Sequence, residues 1–169
     1  ESKLERMSEL VDGTVESVRR LARGLRPTLL DEVGAVAACE WLLRDFQTRT
    51  GVAAELERDR EEYALDDEVA TAVFRVVQEA LTNAIRHAKA SKVEIALGVA
   101  GSEEGRHTLV ATISDNGVGI PKKIREGGLG LKIMHGRANM ARAQLSIDSS
   151  ADGTVVRVTI KGEESETSR

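Results

Sequence analysis

From Lys92 onward the chain alternates apolar and polar residues. KVEIALGV places Val93, Ile95, Leu97 and Val99 on one face, and after the polar connection GSEEGR the segment TLVATIS reads as its partner strand. QLSIDSS and TVVRVTI, joined by a turn at Asp152-Gly153, read as a last strand pair. Successive side chains of a strand point to opposite faces. Strands written this way have one apolar face and need cover on one side only. The cover is encoded in segments with a period of about 3.6 residues. One runs from Gly34 to Arg49 with Val36, Cys39, Leu42, Leu43 and Phe46 inward and Gly51 at its exit. VAAELE fits a short strand, and a further helix begins after the N-cap candidate Asp66 and runs to Lys89. LGLKIMHGRANMARA reads as another helix. The pattern predicts an α+β fold: a two-layer α/β sandwich whose mostly antiparallel sheet of about five strands carries helices on one face.

Residues 2–26 are different in kind. Leu4, Met7, Val11, Thr14, Val18, Leu21 and Leu25 make a narrow heptad seam, and Pro27 ends or kinks the helix at Arg26. This predicts a coiled-coil-like helix, half of a dimer or bundle, ahead of a compact domain over 27–162, with a polar tail at 163–169. Aromatics are only 2% of the 169 residues, so the core must be aliphatic. The net charge of −4 argues against a bulk nucleic-acid binder. Cys39 is the sole cysteine, which excludes an intrachain disulfide. No apolar run approaches the roughly 18 residues of a membrane helix. The chain starts without Met, and we expect it to be part of a longer protein.

Three segments carry chemistry. On the helix over 67–89, Val73, Phe74, Val76, Val77, Ala80, Leu81, Ala84, Ile85 and Ala88 form the apolar face. The opposite stripe holds Arg75, Glu79, Thr82, Asn83 and Arg86, with His87 at its edge. Glu79 and Asn83 are one turn apart and project together. A carboxylate and a carboxamide can organise a magnesium ion, which keeps waters and shares its shell with phosphates. A solvated stripe would look the same. The second segment is Asp115-Asn116-Gly117-Val118-Gly119 at a strand end. It fits either a ligand loop, with Asp115 accepting from an exocyclic amine, or an Asn-Gly hairpin turn. The third is Gly127-Gly128-Leu129-Gly130-Leu131 at a helix start, an anion site or a flexible hinge. Neither GxxxxGK[ST] nor GxGxxG is present.

Together, VVQEALTNAIRHA, DNGVG, GGLGLKIMHGRA and the Gly-Thr of DGTVV resemble the N, G1 and G2 boxes and final Gly-Thr of histidine-kinase ATP-binding domains, over roughly residues 34–161. That family is shared with DNA gyrase, Hsp90 and MutL. RLARGLRPTLLDEVGAVAACEWLLRDFQTRTGV and the short IPKKIRE are similar to the nitrate-sensor-like and DesK-like kinases. The resemblance implies ATP and Mg²⁺ as cofactors. Glu79 would position or activate the phosphoryl system, and Asn83 would bind magnesium. Asp115 would read the adenine amino group, Gly117 and Gly119 would shape the pocket, and Thr154 would support Asp115 or the base. Gly128, Leu129, Gly130 and Leu131 would form the closing segment. Arg86, His87 and Lys89 are weaker phosphate candidates. It also implies a homodimer formed through the N-terminal helix, a cognate response regulator, and a bacterial cytoplasmic location, with no direct contact to nucleic acid or membrane. The phosphoacceptor histidine would lie on another helix, since His87, His107 and His135 belong to other elements. The Gly-Gly that usually follows the G2 helix, and that suits a positive-φ exit, is replaced by Arg142-Ala143, a departure that bears on that turn's geometry and not on the ATP contacts. The competing classes are an anti-sigma-type serine kinase, a gyrase- or MutL-like conformational ATPase, and a scaffold with a vestigial pocket.

Overall fold

The computed structural model describes residues 28–103, 106–121 and 128–161. The expected helix at 2–26 and the tail at 163–169 lie outside the described residues. The elements are α1 (Thr28–Thr50), β1 (Ala53–Arg58), α2 (Asp67–Asn83) with a π-helical turn (Ala84–Ala88), β2 (Lys92–Glu103), β3 (Arg106–Asp115), α3 (Leu129–Met140), β4 (Gln144–Ser150) and β5 (Gly153–Lys161). The strands form one sheet in the order β1-β2-β3-β5-β4. β1 is parallel to β2, and the other neighbours are antiparallel.

The alternation does what the sequence implies. Val93, Ile95, Leu97, Leu109, Ala111, Ile113, Val156, Val158 and Ile160 are buried. Their neighbours Glu94, Ala96, Val110, Thr112, Val155 and Arg157 are exposed or half-buried. α2 is the central helix, packed on both α1 and α3. Its Val73, Phe74, Val76, Val77, Ala80 and Leu81 meet the sheet's apolar residues in one largely aliphatic cluster. The layers are therefore helices on one face and a polar, uncovered opposite face among the described residues, as expected. Cys39 sits inside this core, where burial, with a smaller contribution from Glu62, pushes its thiol up to about 12.

The departures from the sequence reading have local causes. α1 starts six residues before Gly34, but Gly34 itself is non-helical at φ 79° and ψ 174°, so the expected start is a kink. Asp66 occupies the N-cap position of α2 without a side-chain capping bond. β2 and β3 run through most of GSEEGR, because ladder hydrogen bonds do not require apolar side chains; the register slips once, between Ala100 and Ser102. Ile85, expected on the apolar face, is 46% exposed, because the wider π turn carries the stripe off the 3.6 period. α3 stops at Met140 rather than Ala143. The Arg142 N–H bonds Asn139 O and the Ala143 N–H bonds Ala138 O, with Arg142 at φ 50°. This is a Schellman exit. The positive φ that glycine usually supplies at this exit is adopted here by an arginine.

At the sheet edge, Asp59 ties the end of β1 to β2. Its Oδ1 lies 2.5 Å from the Tyr63 hydroxyl, which is also 2.9 Å from Leu97 O. Its Oδ2 accepts the Val99 N–H at 2.9 Å. The Tyr63 hydroxyl first, and then the Val99 N–H, hold the Asp59 carboxyl below its ordinary 3.8. A carboxyl lowered in the folded state contributes stability above its unfolded value, and loses it as pH falls through the folded one. Asp59→Asn is therefore expected to lower the melting temperature at neutral pH, with the difference shrinking as pH is taken below 3.8. A difference independent of pH in thermal melts would contradict this.

Candidate functional site

The site is an interruption of the core pattern. Along the helix-facing side of the sheet, Ile147, Val156, Ile113 and Ile95 stand in one register row, and Leu145, Val158, Ala111 and Leu97 in another. One row further toward the opposite end of the strands the series reads Ser149, Thr154, Asp115 and Val93. Three polar side chains thus occupy positions that are apolar elsewhere on the same face. Above them passes the polar stripe of α2, and beside them lies the first turn of α3. The three enclose a cavity of about 360 Å³, a normal size for a small-molecule site.

Of the residues singled out in the sequence, Glu79, Asn83, Arg86, His87, Asp115, Gly119, Gly128, Leu129, Gly130, Leu131 and Thr154 line this cavity. Gly117 and Lys89 do not. Gly117 acts from behind: a Cβ there would overlap the carbonyl and Cβ of Ala88. The close approach lets the Val118 N–H donate to Ala88 O at 2.8 Å. Gly119 adopts φ 73°, and a Cβ on it would overlap Ser150 O. The glycines let the loop lie against the π turn on one side and β4 on the other.

This settles the nature of the Asn-Gly loop. It is no hairpin, because the chain passes through α3 before β5 returns to pair with β3. Asn116 instead accepts the N–H groups of Ser91 and Lys92, each at 2.9 Å, and donates to Ser91 Oγ. Asp115 Oδ1 accepts the Gly117 N–H at 2.8 Å, which fixes the carboxylate at the cavity floor. Thr154 is buried. Ser149 Oγ accepts the Ile120 N–H at 2.7 Å and lies 3.3 Å from Thr154 Oγ1. Sequence reasoning missed Asn116 and Ser149. The signal for Ser149 was present, as a serine in the strand rhythm two residues after Ile147.

On the α2 side, the π turn delivers Arg86 and His87 to the cavity before Lys89 ends the helix at φ 51°. Such turns are frequent at functional sites. A Cβ on Gly130 would overlap Glu79 Oε1 and lie 3.5 Å from Asn83 Oδ1. Two side-chain oxygens therefore converge on the first turn of α3, whose N-cap is Gly128. Free backbone N–H groups at a helix start favour anions. Among the described residues no three His, Cys, Asp or Glu side chains cluster as a metal site. A cation held at Glu79 and Asn83 would need water and ligand oxygens, which is how magnesium is usually bound.

The family model for histidine kinase-, DNA gyrase B- and HSP90-like ATPases matches residues 68–164. The chain belongs to that family. Sensor histidine kinase MctS of Rhizobium johnstonii is 39% identical over 158 residues, covering 90% of this chain and 33% of the relative. The oxygen sensor histidine kinase NreB of Staphylococcus carnosus is 32% identical over 92% of this chain and 44% of its own length. These alignments reach beyond the matched domain into the preceding helical segment, and bear out the resemblance to nitrate-sensor-like and DesK-like kinases. The chain spans less than half the length of the curated relatives it matches. Among solved structures, the histidine kinase domain of the Erythrobacter litoralis blue-light activated kinase superposes with a TM-score of 0.59 at 25% identity, covering 75% of this chain and 60% of its own. Acinetobacter baumannii AdeS shares the fold at a TM-score of 0.61 and 18% identity, over 95% of this chain and 83% of its own.

The contacts of Gly117 separate it from an ordinary helical glycine. Gly117→Ala is expected to destabilise the domain by about 1–3 kcal/mol, since the Ala88 backbone must move. At Gly136, inside α3, a methyl group would meet nothing within 4 Å, so Gly136→Ala should stabilise by about 0.5–1 kcal/mol. Equal effects in denaturant melts would contradict the close packing of the loop.

Proposed function

We propose that this chain is the ATP-binding catalytic part of a two-component sensor histidine kinase. It binds ATP with Mg²⁺ in the cavity under α2, and the γ-phosphoryl passes to a histidine on a dimerisation helix. One observation carries the reading. Asp115 and Thr154 interrupt an apolar sheet face at the same cavity where Glu79 and Asn83 converge on a glycine-rich helix start. The apolar lining by Val93, Ile113, Val156 and Met134 suits a flat heterocycle, and Asp115 supplies the acceptor for its amino group. Asn83 is the assigned magnesium ligand. Magnesium, when bound, neutralises charge on the phosphates.

The chemistry asks little covalent work of the protein. The bond from the γ-phosphorus to its bridging oxygen breaks, a phosphorus–nitrogen bond to the acceptor imidazole forms, ADP departs, and the imidazole loses a proton. Catalysis is then positioning and electrostatics. Glu79, beside Asn83, is assigned to orient the reacting groups. Gly128 and Gly130 let backbone N–H groups of α3 approach phosphate oxygens, and Arg86 and His87 add positive or neutral donors at the rim. The whole protein is read as a homodimer through segment 2–26, whose heptad seam is read from the sequence alone, signalling to a response regulator. No described helix is long and apolar enough to cross a membrane.

Calorimetry with ATP tests the pocket. Asp115→Asn should weaken ATP binding by about 1.5–3 kcal/mol, the usual cost of losing a charged acceptor. Asn83→Ala should remove the magnesium dependence of binding. Unchanged ATP affinity in the first variant would sink the assignment of the base.

Radiolabelled ATP tests the transfer. His87 lines the cavity on the π turn, His107 belongs to β3 and His135 to α3, so none sits on the separate dimerisation helix that would carry the acceptor. The chain alone should gain no acid-labile phosphate. A partner kinase that carries the acceptor histidine but has its own counterpart of Asn83 replaced should gain it. Acid-stable phosphate on a serine of a protein substrate would favour the anti-sigma-type alternative.

A further inference from the structure

We propose that Ser149 is a positioning residue that sets which purine the cavity accepts, an inference that rests on the nucleotide reading above. A serine or threonine hydroxyl has one proton to donate and two lone pairs to accept with. Ser149 Oγ accepts the Ile120 N–H at 2.7 Å. Thr154 Oγ1 lies 3.3 Å away in the same register row, a contact in which either hydroxyl can donate. Since the Ile120 N–H already fills one Ser149 lone pair, the donated proton is assigned to Ser149. Thr154 then accepts from Ser149, and its own proton is left for a third group. Thr154 is 6% exposed and lines the cavity beside Asp115, its direct partner across the β3–β5 ladder. Asp115 takes the Gly117 N–H on Oδ1 and, ionised, is an acceptor only.

The cavity floor therefore presents a fixed pair, a carboxylate acceptor next to a hydroxyl donor. The edge of adenine that carries its amino group offers the complement, an amino donor next to a ring-nitrogen acceptor. Hypoxanthine has the same ring shape with that edge reversed, a carbonyl acceptor next to an N–H donor. It would set its carbonyl against the carboxylate and its N–H against the threonine proton. A site that makes such bonds rejects the mismatched analogue because buried polar groups are left unpaired. Thr154 alone cannot enforce half of this rule, since a free hydroxyl rotates and accepts as readily as it donates. In the proposed relay, Ser149, with one lone pair taken by the Ile120 N–H, donates to Thr154 and so biases the threonine toward donating. The same serine also holds the chain that leaves Gly119, a residue packed against Ser150 O, so one hydroxyl couples the loop position to the polarity of the floor.

The test is titration of the purified chain with magnesium ATP and magnesium inosine triphosphate, which differ only at this edge. Wild-type protein, Ser149→Ala and Ser149→Thr are compared. The wild type is expected to favour ATP, and Ser149→Ala to narrow the ATP-to-inosine ratio by about tenfold, the size of one such hydrogen bond. Ser149→Thr, which keeps the hydroxyl, should restore it. The ratio is the decisive reading, because a smaller folded fraction removes binding of both nucleotides equally. If Ser149→Ala does not fold, Ser149→Cys, close in shape with a weak donor, should narrow the ratio in the same way. Affinities that fall in parallel at a constant ratio would make Ser149 a purely structural strut and overturn the proposal. Wild-type protein that binds both nucleotides equally would also overturn it, while leaving the nucleotide site intact. Wild-type protein that binds neither would overturn the nucleotide reading and this inference with it.

Discussion

Antiparallel pairing of β3, β4 and β5 locks their side chains into rows that cross the sheet, and a slip of one residue would turn every member to the other face. The rest of the structure depends on this register. It stacks Ile113, Val156 and Ile147 under the helices, and in the last row it brings Asp115, Thr154 and Ser149 side by side. A polar row at the margin of an apolar face is tolerated only if its members bond one another, the backbone or a ligand. Here the Gly117 and Ile120 N–H groups satisfy part of it, and the remainder faces the cavity. The same register that builds the core thus builds the floor of the site.

α2 works on the same principle from the other layer. Its apolar face is spent on the sheet, so Glu79 and Asn83 are left on the stripe that overlooks the polar row. The π turn then opens the helix where Arg86 and His87 are needed, and its last carbonyl, on Ala88, receives the Val118 N–H. The helix, the loop after β3 and the edge of β4 are fastened to one another by backbone contacts that only glycine permits at Gly117 and Gly119. Residues 117–120 are thereby fastened to the π turn on one side and to β4 on the other.

Much of this was legible in the sequence. Alternation in KVEIALGV and TVVRVTI gave one-sided strands, and the spacing of Glu79 and Asn83 gave their shared face. The order of the three polar and glycine-rich segments carried the family resemblance, and the resemblance implied a nucleotide. What escaped lies in interactions between segments distant in sequence. Ser149 matters because β4 lies beside β5 and the Ile120 N–H reaches it from across the loop, and neither fact has a local signature. Asn116 looked like a turn residue because Asn-Gly so often makes a hairpin; here its amide serves the start of β2. Ile85 fits the 3.6 period, and no residue in AIRHA announces that the hydrogen bonding will widen. The exit of α3 was not legible either: Arg142-Ala143 departs from the family's Gly-Gly, yet Arg142 adopts the positive φ without a glycine.

The central claim is that one cavity, floored by the polar row and roofed by α2, holds the nucleotide. Amide hydrogen exchange with and without magnesium ATP tests it most directly, because it reads every segment at once. The account predicts slowed exchange at residues 115–120, at 128–131 and through the π turn at 84–88, with α1 and the edge strand β1 unchanged. Protection confined to α1 and β1, or none at nucleotide concentrations that saturate related kinases, would contradict it.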